Sequence, residues 1–373
     1  MNFRAAPMIA LAGLSLEGCP LTRVDTPITT EGSISLAAGD LDGDGRDDLI
    51  AGHRPQARPG SDERFGASAL LSRGDGTFTR KLLPIADFSA RRVLLEDFNA
   101  DGHLDLAALT IAADGLGDVI VLLGRGDGDF GPPARVPGPD APRRLAAADL
   151  DVDGHLDLLV TNADPPALYT VFGRGDGTFT APRSYPELSG LALAAGDVDG
   201  DGDPDAVRIP LGGTTLDVLL NNGVGELRLA TSTPLGVRTE ALALVDIDQD
   251  GALDAVTVSR GASSVRVLRG RGDSRFSPPL DYPVAAPPID LAVARLNRDR
   301  WLDIATVSSD DSSVSVLVGL PGGRLLRGSQ RLPVGAGASS IALPDVDGDG
   351  RPEIATGNAT AGSVSVLLGS SCP

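Results

Sequence analysis

Lysine and aromatic residues are nearly missing from this sequence, and each shortage narrows what the chain can do. Lys81 is the single lysine, so arginine supplies almost all of the positive charge. Aromatic residues make up 3% of the chain, which argues against a ligand site built on ring stacking. Long helical patterns are missing, and no later segment reaches the roughly 20 apolar residues needed to span a bilayer. Positive charge is itself in deficit. The formal net charge of −19 excludes nucleic acid as a partner, because polyanions require basic surfaces.

Glycine and acid are plentiful instead. With 47 Gly, 28 Pro and 42% apolar residues, the composition suits many short strands joined by tight turns, and is too apolar for disorder. The N-terminus carries Arg4, an apolar run from Ala5 to Leu16 and then small residues, which reads as an export signal over residues 1–18. Leu16-Glu-Gly-Cys19 also resembles a bacterial lipobox, in which Cys19 would carry a lipid anchor.

A nine-residue acidic string recurs along the chain. It reads DLDGDGRDD from Asp40, DFNADGHLD from Asp97, DLDVDGHLD from Asp149, DVDGDGDPD from Asp197 and DIDQDGALD from Asp246. It continues as RLNRDRWLD from Arg295 and DVDGDGRPE from Asp345, with start-to-start spacings of 57, 52, 48, 49, 49 and 50 residues. Seven copies at a near-constant period mean one supersecondary unit repeated seven times.

An alternating apolar segment precedes each string, as in Leu191–Ala195, and a strand-like run follows, as in Leu156–Val160. A second β-rich run comes next (Val119–Leu123), then a glycine turn such as GRGDGTF from Gly173, then a proline-containing segment (Phe179–Tyr185). Four strands, A to D, at a period near 50 residues predict propeller blades. The fold is therefore expected to be all-β: a seven-bladed β-propeller of four-stranded antiparallel blades, filling residues 19–373. The last repeat stops after strand C, and Leu21–Ile28 reads as a strand D without partners, so the N-terminal strand should close the last blade. Repeat alignment also sets Cys19 and Cys372 at neighbouring places in one turn. A disulfide between them is expected there, and it excludes lipidation of Cys19.

These strings resemble the FG-GAP/VCBS repeat family, which includes the integrin α propeller and many bacterial surface proteins. The resemblance covers residues from about 21 to 371 and implies a secreted, cell-surface or periplasmic bacterial protein. It says little about activity, because the family spans adhesion, lectins and lyases.

Acids at positions 1, 3, 5 and 9 with Gly at 6 set oxygen ligands around one point, as Ca²⁺ requires. The expected ligands are Asp40, Asp42, Asp44 and Asp48, then Asp97, Asn99, Asp101 and Asp105, then Asp149, Asp151, Asp153 and Asp157. They continue with Asp197, Asp199, Asp201 and Asp205, then Asp246, Asp248, Asp250 and Asp254, then Asp345, Asp347, Asp349 and Glu353. An EF-hand would need Glu at position 12, where Ala51 and Ala108 stand. In the sixth string Arg295 replaces the first acid and Arg300 the glycine, so Arg295–Asp303 is expected to hold no metal. Six Ca²⁺ would bring +12 against the −19.

No catalytic constellation is evident. His103 and His155 sit at position 7, where the backbone is the ligand, and no nucleophile elbow, HExxH or phosphate loop occurs. The string Arg-Gly-Asp begins at Arg73, Arg125, Arg174 and Arg271, always in the C–D turn, where it reads as turn chemistry. The A–B and C–D turns share one face. The opposite face carries Arg91, Arg92, Arg143, Arg144 and Arg238 just before inner strands, besides Arg54, Arg58 and Arg64 in a long B–C loop. Guanidinium groups there suit an anionic ligand. The expected function is thus a calcium-stabilised, monomeric binding propeller for protein or anionic glycan. The alternative is a calcium-dependent polysaccharide-acting enzyme, such as a lyase.

Overall fold

A computed structural model describes residues 8–16, 19–28, 35–53, 66–85, 89–111, 117–326 and 328–369, with backbone alone up to residue 20. Among the described residues there is no helix, and the strands form seven antiparallel blades. Blade three shows the plan. Strand A, Pro142–Ala148, runs beside strand B, Asp157–Ala163, which pairs with strand C, Pro166–Val171, and then strand D, Arg183–Pro186. Strand A begins at Ser35, Ser89, Gly190, Ala241, Asp290 and Ala338 in blades one, two, four, five, six and seven. Each strand A touches that of the next blade, and blade seven touches blade one. The ring is closed.

Closure comes from the N-terminal strand, as the repeat pattern predicts. Cys19–Pro27 pairs antiparallel with Ser363–Gly369, Leu21 opposite Gly369 and Pro27 opposite Ser363. The backbone of Met8–Leu16 adds a fifth strand outside it, within the stretch read as an export signal. Without that edge strand, blade seven keeps the same four strands as the others. Cys372 lies outside the described residues, and so does the expected disulfide.

The core sits between blades. Strands B and C are buried on both faces because each blade is covered by two neighbours, so they read as continuous apolar runs. Seven hydrophobic clusters fill the seven interfaces. At the closing seam Leu49, Leu70 and Phe78 of blade one meet Val346, Val364 and Val366 of blade seven. Between blades two and three Phe98 meets Phe179 edge-on, centroids 5.8 Å apart. Most strands A remain half-exposed along the ring's inner wall, whereas that of blade seven is mostly buried.

Candidate functional site

Each A–B loop is shaped by its own acids. Asp40 takes the amide hydrogens of Gly43 and Gly45 at 2.7 and 2.9 Å, and Asp44 takes that of Arg46 at 3.0 Å. Asp149 and Asp153 repeat this on Gly154 and His155. The sixth residue turns the chain through the left-handed region, as at Gly154 with φ +91°, where glycine meets no steric cost.

The ninth acid works differently. Asp157 Oδ2 accepts from the amide of Leu150 at 2.8 Å, and Oδ1 from Gly173 at 2.8 Å, so it fastens the A–B loop to the C–D turn. The same pair of bonds occurs at Asp48, Asp105, Asp205 and Asp254. Burial pushes Asp48, Asp157 and Asp205 up to about 6, and Glu353 up to about 8. Nearby acids of each loop add to that rise.

Among the described residues, five groups of three acids converge within 4.8 Å. Positions 1, 3 and 9 form them in blades one, three, four and seven: Asp40, Asp42 and Asp48; Asp149, Asp151 and Asp157; Asp197, Asp199 and Asp205; Asp345, Asp347 and Glu353. Asp44, Asp153, Asp201 and Asp349 stand outside these groups. In blade two Asn99 donates to Asp101 at 2.9 Å, and no trio of acids forms. Blade five groups Asp246, Asp248 and Asp250, without Asp254. The Oδ1 atoms of Asp42, Asp151 and Asp248 are buried with no hydrogen-bond partner. Orphaned anionic oxygens in an all-oxygen donor set fit a hard cation such as Ca²⁺.

Blade six gathers no such trio among the described residues. Arg295 is exposed, and Arg300 lies 4.4 Å over the ring of Trp301. Arg46 and Arg351 pair with the fifth acid of their own loops, Asp44 and Asp349, whereas Arg269 reaches the blade-five loop from the end of strand C. Its Nη1 lies 2.9 Å from Asp254 Oδ2 and 3.2 Å from Asp248 Oδ2.

The Arg-Gly-Asp strings are turns. Thr178 donates to Asp176 Oδ1 through its amide at 2.9 Å and its hydroxyl at 2.6 Å, holding that carboxyl below its usual range. The glycine of the string has φ +70° at Gly126 and Gly175, and a Cβ there would strike the His103 or His155 ring. Both histidines thus pack on the turn. His53 is buried and hydrogen-bonded to Ser68 Oγ at 3.1 Å.

On the opposite face the structure brings two of the five predicted arginines together. Arg91 and Arg143 are the extra residues of β-bulges at the start of strands A, and both are exposed. Each bulge re-aims the residue after it. Arg92 Nη1 reaches Asp290 Oδ2 at 3.9 Å. Blades two and six are not neighbours, so this pair crosses the central channel. Arg144 stands in the same charge cluster. Burial and then the Arg92 charge push it down to about 9, although Asp290 opposes the fall. Arg238 turns instead to Glu240 at 3.6 Å, and Arg54, Arg58 and Arg64 lie outside the described residues.

Asp290 was not singled out by its sequence, yet the repeat register marks it. Arg92, Arg144 and Asp290 each stand five residues before the first position of their acidic string. Four other blades have Ser35, Ala192, Ala241 and Ser340 there. One level of the channel therefore holds two guanidiniums, one carboxylate and small side chains.

The model of the FG-GAP-like repeat matches at residues 97–160, 149–208, 246–306 and 295–356, more than half of the chain. This chain belongs to the FG-GAP-like repeat family. A curated relative, integrin alpha pat-2 of Caenorhabditis briggsae, is 28% identical over 217 residues. That stretch is 46% of this chain and 17% of the relative, so the match spans a small part of the integrin subunit. Solved structures share the FG-GAP protein's fold at low identity. An Agrocybe aegerita lectin that recognises non-reducing terminal N-acetylglucosamine superposes with a TM-score of 0.55 at 18% identity, over 82% of this chain and 81% of its own. A periplasmic gluconolactonase of Pseudomonas aeruginosa gives 0.60 at 16% identity, over 86% and 98%. Virginiamycin B lyase from Staphylococcus aureus gives 0.60 at 11%, over 93% and 98%. The fold thus serves binding proteins and enzymes alike. No helix among the described residues is long and apolar enough to cross a membrane.

Proposed function

We propose that this FG-GAP propeller is an exported, calcium-stabilised recognition module that binds an anionic group at the channel mouth opposite its calcium loops. One observation carries the reading: among the described residues, Asp290 is the one carboxylate that faces both Arg92 and Arg144. That leaves one positive charge in excess inside a net-acidic protein. Burial comes first in lowering Arg144, and the neighbouring Arg92 charge adds to it. A carboxylate entering the channel restores neutrality and accepts paired N–H donors from a planar guanidinium. A uronate or sialate on a glycan, or an acidic side chain of a protein, offers that group.

Calcium acts here as structure. The acidic loops lie at the far end of strand A, about 17 Å from Arg92 for five residues at 3.4 Å each. The metal therefore stiffens the ring without touching the anion. The family membership and the integrin relative support a role in recognition outside the cytoplasm.

Binding of the Arg92→Ala and Arg144→Ala variants to uronate-containing and sialylated glycans tests the reading. Loss of at least tenfold in affinity with an unchanged melting temperature is expected. Equal binding by wild type and both variants would remove the channel site, and conversion of the glycan would show an enzyme.

A further inference from the structure

We infer that Arg269 is the resident cation of blade five, standing where the other acid-rich loops take a metal ion. Three independent observations carry this. The first is register. At the place of Arg269, just before the C–D turn, the other blades have Leu71, Leu123, Phe172, Leu220, Val318 and Leu368. In several of these the apolar side chain packs on a turn glycine of the next blade, as Leu123 does on Gly177. Arg269 follows the same course, contacting Gly323 of blade six, but ends in a charge.

The second is where that charge goes. Nη1 binds Asp254 Oδ2 and Asp248 Oδ2, and Nη2 donates to the carbonyls of Gly322 at 3.2 Å and of Gly323. The guanidinium is three-quarters buried, at 26% exposure, and its donors are used on both blades. The third is the acids themselves. In blades one, three, four and seven the ninth acid converges with the first and third, whereas in blade five Asp254 leaves the trio and Asp250 replaces it. Arg269 holds one oxygen from each of the acids at positions 3 and 9, Asp248 Oδ2 and Asp254 Oδ2, and leaves Asp248 Oδ1 without a hydrogen-bond partner.

A metal ion entering this loop must first displace a largely buried guanidinium engaged through both terminal nitrogens, and the cation–cation repulsion opposes it as well. Blade five thus draws part of its counter-charge from its own chain, one guanidinium against four carboxylates, and blades five and six are joined by a tie that chelators do not reach. With the sixth loop lacking its first acid, the two metal-independent blades are adjacent in the ring.

Calcium bound per chain, measured by equilibrium dialysis and mass-spectrometric metal analysis, tests this. Arg269→Leu, which restores the residue type of blades one, two, four and seven, should bind one more calcium than wild type. Asp246→Asn should leave the wild-type count unchanged, whereas Asp149→Asn in blade three should lower it by one. Loss of one calcium in Asp246→Asn, or no gain in a folded Arg269→Leu, would overturn the inference. If Arg269→Leu does not fold, the comparison of the two Asp→Asn variants decides it alone.

Discussion

Asp303 Oδ1 accepts the amide hydrogen of Gly319 at 2.7 Å, in the blade whose loop has lost its first acid. Its other oxygen takes the amide of Leu296 at 3.0 Å. Both bonds match those of the ninth acid in blades one to five, so this residue fastens loop to turn whether or not a metal is held. Asp303→Ala orphans two buried donors at roughly 1–3 kcal/mol each, and about 2–6 kcal/mol of stability should be lost in calcium and in EDTA alike. Asp149→Asn keeps one of the two acceptors that the Asp153 and Gly154 amides use, so its destabilisation should shrink, without vanishing, once EDTA removes the metal. Paired thermal melts of both variants check the contrast.

Chelation of the wild type should lower its melting temperature substantially. With affinities of about 0.1–1 mM, typical of extracellular calcium modules, about 2 mM free calcium contributes roughly 0.6–1.8 kcal/mol per site. Five such loops give on the order of 3–9 kcal/mol, comparable to the stability of a whole domain. Calorimetry with and without EDTA measures this, and an unchanged melt would show that the acids only shape their loops.

The metal-free protein should gain stability as pH falls. Asp48, Asp157, Asp205 and Asp303 are raised by burial to about 6, and Glu353 to about 8. The folded state therefore binds more protons than the unfolded chain between those values and the ordinary carboxylate range. Stability from these groups is complete below about 4 and is lost as pH rises through about 6, and through about 8 for Glu353. Calcium selects the ionised form, so the same fall in pH should weaken binding, with proton release on metal uptake. Melts in EDTA and calcium titrations from pH 5 to 8 should show opposite slopes.

The ring was legible in the sequence because its signals are local and repeated. A turn glycine such as Gly154 and acids such as Asp149 and Asp151 act within nine residues, and seven registered copies imply the closure that Leu21 completes opposite Gly369. What was hidden depends on residues brought together by that closure. Arg92 meets Asp290 across the channel, nearly 200 residues along the chain, and only their common register could have paired them. Arg269 was hidden for another reason. In a run of apolar residues before a turn, an arginine reads as a solvated end, and the loop it enters begins more than 20 residues earlier.

That pairing across the channel supplies the last test. Asp290 is the counter-ion shared by Arg92 and Arg144, and it competes with any anion that enters. Asp290→Asn keeps the volume and an acceptor while removing one negative charge, so both guanidiniums become available. Affinity for a uronate should rise, by about 3- to 10-fold for a charge interaction of roughly 1 kcal/mol at a half-exposed site. The gain should shrink with added salt, because solvent and ions reach the group along the channel. Asp290→Arg should instead disrupt the level by packing three like charges, lowering the melting temperature. Isothermal titration with a uronate oligosaccharide at low and high salt separates these outcomes, and weaker binding by Asp290→Asn would mean that the carboxylate orients Arg92 rather than competing for it.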